Sequence, residues 1–168
     1  MNIKKIKAVK ASVKNFTPYG QYISTGNKKA DSKNKVFSFW NALGTVKING
    51  DTSISIVNTV LQKTMREDGM EHHKNTSEVL VATGDIVVVT TLSDKNNPEL
   101  PDPASVKAFI VPKGDAVIFN PGIWHHAPLA KKKTCNVYVI FDKTTPEKDF
   151  YYVDLDKTFG FNWEISFK

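Results

Sequence analysis

Short apolar segments separated by turn residues recur along the whole chain. They are rich in Val, Ile, Phe, Tyr and Thr, and Gly, Pro, Asn and Asp stand between them, which is the composition of strands and turns. The segments predicted as strands are KAVKAS, VFSFWNAL, TSISIVNTVLQ, EVLVATG, IVVVTTL, VKAFIV, AVIFN, CNVYVIF and DFYYVDL. So many short strands favour a β-sandwich or a closed β-barrel over an α/β fold with alternating helices.

The strand segments differ in how their apolar residues are spaced. TSISIV, residues 52–57, alternates polar and apolar residues, which predicts a half-buried strand. IVVV, residues 86–89, and VYVIF, residues 137–141, are continuous apolar runs, which predict strands covered on both faces.

Helical signals are few. One short helical element is predicted near residues 11–20, where Ser12 can cap the first turn and Gly20 can end the last. The polar segment 24–35 and the segment 94–105, with its three prolines, are predicted as loops.

Length and composition indicate one globular domain. The chain has 168 residues, 40% hydrophobic and 24% charged, so residues 1–168 are expected to form a single domain. The net charge of +6 suits a small anionic metabolite, and we expect no nucleic-acid binding because no recognition helix or zinc-finger spacing accompanies it. The single cysteine, Cys135, excludes an intrachain disulfide. Without a secretory signal or a membrane-spanning run, we expect a cytoplasmic protein that does not bind membranes.

All four histidines fall in two short segments. One is Gly69-Met-Glu-His-His-Lys-Asn-Thr-Ser-Glu78, and the other runs from Gly114 to the pair His125-His126. Neighbours on a strand point to opposite faces, so Glu71 and His73 should share one face. Each His-His pair therefore offers one interior imidazole.

Imidazoles and carboxylates on converging strands are typical ligands of a divalent metal. The candidate set is His73, Glu78 and His125, with Glu71 as a possible fourth ligand, and it suits Ni, Zn, Mn or Fe. A buried His–Glu pair that is only hydrogen-bonded inside a barrel is the alternative.

The residues around this set carry weaker signals. Trp124, His126 and Asn120 are candidate substrate contacts, although Trp124 can equally be a core residue. Asn120-Pro121-Gly122 is first of all a turn. His72 and His126 are expected at the surface or an interface rather than as ligands.

The two segments resemble the two motifs of cupins. Glu71 stands where the first cupin motif has its first histidine, His73 is the second, and Glu78 is the acid. In the second motif the matching residues are Gly114, Pro121, Gly122 and His125, with Pro121 shifted by one place.

A narrower resemblance is to the ureidoglycolate lyase family. It rests on the stretch from Glu71 to Glu78, on Gly122-Ile-Trp-His-His-Ala-Pro128 and on Phe16-Thr-Pro-Tyr-Gly20, and it covers roughly residues 1–145. His72 replaces the arginine usual in that family, and Ala127 separates His126 from Pro128.

The resemblance implies a fold and an activity. The expected fold is an all-β, cupin-type double-stranded β-helix (jelly-roll) barrel with a short N-terminal helical element, forming a homodimer. The expected enzyme is a metal-dependent lyase that cleaves ureidoglycolate to glyoxylate and urea in allantoin (purine) degradation, with Glu71, Glu78 and His73 as catalytic residues. The alternatives are another metal-dependent cupin enzyme, an isomerase, epimerase or dioxygenase acting on a small hydroxy acid, keto acid or sugar, and a non-catalytic metabolite-binding cupin.

Overall fold

The computed structural model describes residues 2–167. Its helices are α1 (Val13–Phe16), α2 (Thr145–Lys148) and α3 (Leu155–Phe159). Its strands are β1 (Asn2–Lys7), β2 (Val9–Lys10), β3 (Gly20–Ile23), β4 (Ser32–Lys33), β5 (Ser38–Phe39), β6 (Thr52–Val60), β7 (Arg66–Glu67), β8 (Gly69–His72), β9 (Glu78–Ala82), β10 (Ile86–Thr91), β11 (Lys107–Val111), β12 (Ala116–Phe119), β13 (Trp124–His125), β14 (Leu129–Ala130), β15 (Thr134–Asp142), β16 (Tyr151–Asp154) and β17 (Phe161–Ser166).

Two large sheets form the barrel. One has the strand order β16-β8-β13-β10-β11-β2, with β14 also paired to β10, and the other has the order β3-β12-β9-β15-β6. The chain crosses between them repeatedly: β8 lies in the first sheet, β9 in the second, β10 and β11 in the first, and β12 in the second. This alternation between two mainly antiparallel sheets is the topology of a jelly roll, so the predicted fold class is confirmed.

Apolar side chains cover both faces of β10. Ile86 and Val88 belong to the cluster that fills the barrel, together with Phe16, Phe109 and Phe119. The alternate residues belong to a second cluster, between this sheet and a three-stranded sheet of order β1-β17-β7. All six residues of β10 are buried, as its continuous apolar run predicts. The members of the second cluster on β10, β13 and β17 are Val87, Val89, Trp124, Phe161, Trp163 and Ile165.

The edge strand β6 is half-buried as predicted, but its two isoleucines face outward and its two serines face inward. Ile54 and Ile56 point outward, with relative exposures of 71% and 55%. Ser55 and Val57 point inward and line a cavity of the barrel. The neighbouring strand β15 was predicted to be covered on both faces, and this is wrong, since Tyr138 is 41% exposed on its outer face.

The N-terminal helical element is present but shorter than predicted. Ser12 caps α1: Asn15 N–H donates to Ser12 Oγ (3.2 Å), and Ser12 N–H donates to Asn15 Oδ1 (2.8 Å). Gly20 does not end the helix. It begins β3 opposite Phe119, where a Cβ atom would lie 1.9 Å from the carbonyl oxygen of Ile118.

The predicted loops over 24–35 and 94–105 are irregular apart from the two-residue strand β4 and an isolated bridge at Pro101. Among residues 2–167, no helix has the length and apolar character required to traverse a lipid bilayer.

Candidate active site

Three neighbouring parts of the barrel bring together the four residues of the predicted metal set. His125 on β13 is paired with Glu71 on β8, and His73 follows β8 directly. The possible ligand atoms of Glu71, His73 and His125 all lie within 4.8 Å of one another. Glu78, the first residue of β9, reaches both imidazoles from the opposite sheet. Glu71 and His73 lie on one face, as the period of two along the strand predicts.

Backbone carbonyls fix the orientation of both imidazoles. His73 Nδ1 lies 2.8 Å from the carbonyl oxygen of Asp149, and His125 Nδ1 lies 2.9 Å from that of Ile123. A carbonyl oxygen only accepts, so each Nδ1 carries the hydrogen and donates it. In the neutral rings, each Nε2 then has a free lone pair directed at the carboxylates. This is the arrangement found around metal-binding histidines.

The carboxylates face these lone pairs at short range. Glu78 Oε2 lies 3.0 Å from His73 Nε2, and Glu78 Oε1 lies 3.5 Å from His125 Nε2. Glu71 Oε1 lies 4.0 Å from His125 Nε2. Lone pairs that meet at such distances repel unless a proton or a cation lies between them. The centre therefore requires positive charge from outside its neutral side chains.

Protons partly supply this charge. Burial opposes the charged form of Glu78, but His125 and His73 outweigh that effect and lower the pKa of Glu78 to about 2. Burial likewise opposes a charged His125, but the Glu78 carboxylate raises the pKa of that imidazole. Even so, His125 Nε2 is buried and makes no hydrogen bond with any described residue, although Glu78 Oε1 lies 3.5 Å away.

These residues fit a divalent cation. Metal–ligand bonds to imidazole nitrogen and carboxylate oxygen are about 2.0–2.2 Å, which places ligand atoms about 3–4 Å apart around one ion. The separations between Glu71, His73 and His125 require only a small contraction to reach this range. Two imidazoles with carboxylates suit Zn, Ni, Mn or Fe(II).

The centre opens on a cavity of about 190 Å³ inside the barrel. Its wall is mainly apolar, and it is lined by Ser55, Val57, Glu71, His73, Glu78, Leu80, Ala127, Pro128, Val139, Phe141, Thr145, Pro146 and Phe150. A larger open groove of about 630 Å³ is bordered by Lys10, Tyr22 and Asp115, and the described residues of its wall include no histidine. We therefore assign the chemistry to the smaller cavity.

His72 and Trp124 lie on the opposite side of the sheet from the cavity. Their rings stack with centroids 3.9 Å apart, and His72 Nδ1–H donates to the carbonyl oxygen of Gly122 (3.3 Å). His72 was expected at the surface or an interface rather than as a ligand. It is not a surface residue, since it is only 2% exposed, and it lies outside the metal set. Trp124 is a core residue that does not line the cavity, and its Nε1–H donates to Ser93 Oγ (3.2 Å).

The other two predicted substrate contacts also lie outside the cavity wall. Asn120 is exposed in the turn before β13, and its carbonyl oxygen accepts from Ile123 N–H (3.2 Å). His126 faces away from the centre, and its Nδ1 lies 2.6 Å from Glu67 Oε2. The structure thus separates Asn120, His126 and Trp124 from the metal set.

Glu67 is a buried acid that the sequence analysis missed. It is fully buried, and burial raises its pKa. Burial also opposes a charged His126, but the Glu67 carboxylate overcomes this and raises the pKa of His126 to about 9. No motif surrounds Glu67, so only its contact with His126 identifies it. The sequence analysis also missed Ser55, Thr145 and Phe150 in the cavity wall.

A jelly-roll barrel with two imidazoles and two carboxylates beside an interior cavity defines a protein of the cupin type. The family model described as ureidoglycolate lyase matches residues 3–162. The chain therefore belongs to the ureidoglycolate lyase family, and the match extends beyond the part recognised from the motifs.

Solved structures similar to the chain include mutants of Bacillus subtilis oxalate decarboxylase. One is 14% identical, with a TM-score of 0.41, and covers 83% of this chain and 29% of that one. A second, from work on the Mn(II) centres of that enzyme, is 11% identical with a TM-score of 0.40, and covers 90% of this chain. The chain spans about 30% of the length of these structures. A comparison with curated protein sequences gives no match.

Proposed function

We propose that this protein cleaves ureidoglycolate to glyoxylate and urea. The observation that carries the proposal is the convergence of Glu71, His73, Glu78 and His125 on one another beside a cavity that the first three line. It occurs in a chain whose family match spans residues 3–162.

The reaction is an elimination, in which water does not attack. The carbinol hydroxyl loses its proton, the C–N bond breaks with its electron pair leaving on nitrogen, and that nitrogen gains a proton to complete urea. The oxygen becomes the aldehyde oxygen of glyoxylate. The site must therefore stabilise negative charge on oxygen and move one proton from oxygen to nitrogen.

The four residues divide into two roles. We assign His73, His125 and Glu78 to hold a divalent metal, because Glu78 is buried and contacts both imidazoles. The bound ion would act as a Lewis acid for the developing alkoxide. Glu71, whose side chain is 24% exposed, is better placed to complete the shell or to carry the proton between oxygen and nitrogen.

Turnover and metal content test this assignment together. His73→Ala and His125→Ala should each abolish urea release from ureidoglycolate and lower the metal content of protein purified without chelator. Glu99→Gln is the matched control, since Glu99 is an exposed carboxylate that pairs only with Lys74 among the described residues. Normal urea release by both histidine variants would overturn the proposal. Metal binding without turnover in the native protein would favour the non-catalytic alternative.

We also propose that the protein forms a homodimer through the outer face of β6. This nine-residue edge strand, TSISIVNTV, has no charged residue, although edge strands of monomers are usually protected by charges. Ile54, Ile56 and Val60 are exposed on it beside Tyr138. A second copy offers the same uncharged edge and apolar face, which an isologous contact requires.

The dimer proposal is tested by light scattering during gel filtration. The native protein should have twice the monomer mass, and Ile54→Lys with Ile56→Lys should give a folded monomer. Lys47→Glu, an exposed change outside this face, is the control. A native monomer would overturn the proposal. A small anionic substrate, a cytoplasmic location and a place in allantoin breakdown remain predictions.

A further inference from the structure

The cavity wall away from the centre is uncharged. Apart from Glu71, His73 and Glu78, its polar side chains are those of Ser55 and Thr145. Among the described residues that line it, none is lysine or arginine. The remaining wall is aliphatic, aromatic and proline side chains, so these two hydroxyls are the side-chain hydrogen-bonding groups that the described wall offers a bound molecule besides those of the centre.

Thr145 carries a hydroxyl without a partner in this wall. The residue is 1% exposed, and its Oγ1 makes no hydrogen bond with any described residue. Buried hydroxyls are normally satisfied, so such a group points to a ligand or an ordered water. Thr145 begins α2, and the carbonyl oxygen of Asp149 after that helix orients His73, so one short segment contributes to the cavity wall and fixes an imidazole of the centre. Thr145 also borders a second cavity of about 190 Å³ near Asn75.

Ser55 reaches the cavity because the polarity of β6 is inverted. Its neighbours Ile54 and Ile56 point outward, and the serine occupies an inward position opposite Val139. An apolar side chain would fill the barrel interior more favourably at such a position. A serine there indicates that this part of the cavity receives a polar group.

Electrostatics then orient a carboxylate-bearing substrate. Glu71 and Glu78 make the inner end of the cavity acidic unless a cation is bound. Among the described residues the wall has no cationic side chain, so a second carboxylate held away from the centre would lose its hydration without compensation. A substrate carboxylate therefore belongs at the metal centre, and an uncharged end belongs near the two hydroxyls.

We propose that Ser55 and Thr145 form a subsite for the uncharged, hydrogen-bonding end of the substrate, an amide or ureido group. The cavity then selects molecules with one carboxylate and one neutral polar end, and it rejects dicarboxylates of the same length. This assignment rests on the proposed function and adds the two residues that determine specificity.

Three stable probes test the subsite by calorimetry on Mn(II)-loaded protein. N-carbamoylglycine carries a carboxylate and a ureido end, succinate replaces the ureido end by a second carboxylate, and glycolate lacks the far end. The native protein should bind N-carbamoylglycine at least about 10-fold more tightly than succinate. Equal affinities for these two probes would overturn the subsite.

Two variants distinguish the effect of losing the hydroxyl groups from the effect of changing side-chain volume. Ser55→Ala combined with Thr145→Val should weaken binding of N-carbamoylglycine about 10-fold or more and leave glycolate binding unchanged. Thr145→Ser, which keeps the hydroxyl, should retain binding. Ser53→Ala, on the same face of β6 but outside the cavity wall, is the matched control. Circular dichroism checks that each variant is folded.

The outcomes distinguish this assignment from the proposed function. If glycolate binds and the double variant still binds N-carbamoylglycine with native affinity, the subsite is wrong and the metal centre stands. If neither glycolate nor N-carbamoylglycine binds the loaded native protein, the proposed function fails, and the subsite fails with it.

Discussion

Three of the four imidazoles in the two His-His pairs face buried acids, in two contrasting environments. His73 and His125 face Glu78 inside the barrel, beside a cavity and a second carboxylate. His126 faces Glu67, an acid fully buried on the other side of the sheet. Both environments contain a short contact between an imidazole and a buried acid. Only the first brings several ligands together beside empty space, so only the first is suited to chemistry.

The contrast teaches that an ion pair is not by itself a functional site. Strongly shifted pKa values occur in both places: that of Glu78 is lowered to about 2, and that of His126 is raised to about 9. What distinguishes the two is the cavity and the number of converging ligand atoms. The Glu67–His126 pair instead connects β7 to the segment after β13.

The largest expected difference between the two environments is in turnover. Glu71→Gln should lower kcat for urea release by about 1,000-fold, because the amide cannot carry the proton between oxygen and nitrogen. Glu67→Gln is the matched control and should change kcat by less than about 3-fold. Steady-state kinetics with metal content checked in each variant measures both. Equal losses of kcat in the two variants would show that the two environments do not differ in their role in turnover.

Stability should respond most strongly on the other side of the sheet. His126→Ala leaves the Glu67 carboxylate buried without its partner, and we expect the free energy of unfolding to fall by about 3 kcal/mol. Urea denaturation measures the change. The double variant with Glu67→Leu should regain part of the loss, because it also removes the buried charge. A single variant as stable as the native protein would show that the pair is not stabilising.

The same pair predicts a dependence of stability on pH. The pKa of His126 is about 9 in the folded protein, against 6.5 as its ordinary value. The folded state therefore binds this proton more tightly than the unfolded state does. The resulting contribution of His126 to the free energy of unfolding is complete below pH 6.5 and is lost as pH rises through 9. Because the side chain is partly exposed, we expect a loss of about 2 kcal/mol across this range.

Denaturation curves recorded from pH 6.5 to 9.5 test this sign. The native protein should become less stable as pH rises, and Glu67→Gln should flatten the profile, since His126 then loses the carboxylate that raises its pKa. A native profile that is flat or rises over this range would contradict the prediction.

The smallest effect concerns the remaining histidine. His72 stacks on Trp124 and hydrogen-bonds through Nδ1, while its buried Nε2 makes no hydrogen bond within residues 2–167. His72→Phe keeps the stacking and loses one hydrogen bond to Gly122, so we expect a destabilisation of about 1 kcal/mol. Thermal unfolding measures it, with His72→Ala, which also loses the stacking, as the more damaging comparison. Equal effects of the two variants would show that the stacking contributes nothing.

Local pattern was enough to predict much of the site. The period of two along a strand placed Glu71 and His73 on one face and His72 on the other, as observed. It could not identify Glu67, because neither the spacing nor the neighbours of that residue differ from those of an exposed acid. Its environment depends on β17, which lies about a hundred residues away in the chain and pairs with β7, with Trp163 opposite Glu67.

The hydrophobic pattern also gave wrong predictions where the burial of a strand face depends on the elements that pack on it. The alternation of TSISIV correctly predicted a half-buried strand, but the isoleucines of β6 face outward and Ser55 faces the cavity. The apolar run of β15 predicted cover on both faces, whereas the described residues leave Tyr138 exposed. In both strands the sequence shows which residues are apolar and which are polar. It does not show which face of the strand will lie in the protein interior.

The sequence by itself determined the class of fold, the candidate set of four residues and the shared face of Glu71 and His73, because these follow from local periodicity and short motifs. The tertiary structure decided which carboxylate meets which imidazole, that Trp124 and His126 lie away from the cavity, and that Ser55 and Thr145 line it. Those facts depend on the packing of two sheets against each other. Strands distant in the chain set the distances there, and no local pattern encodes them.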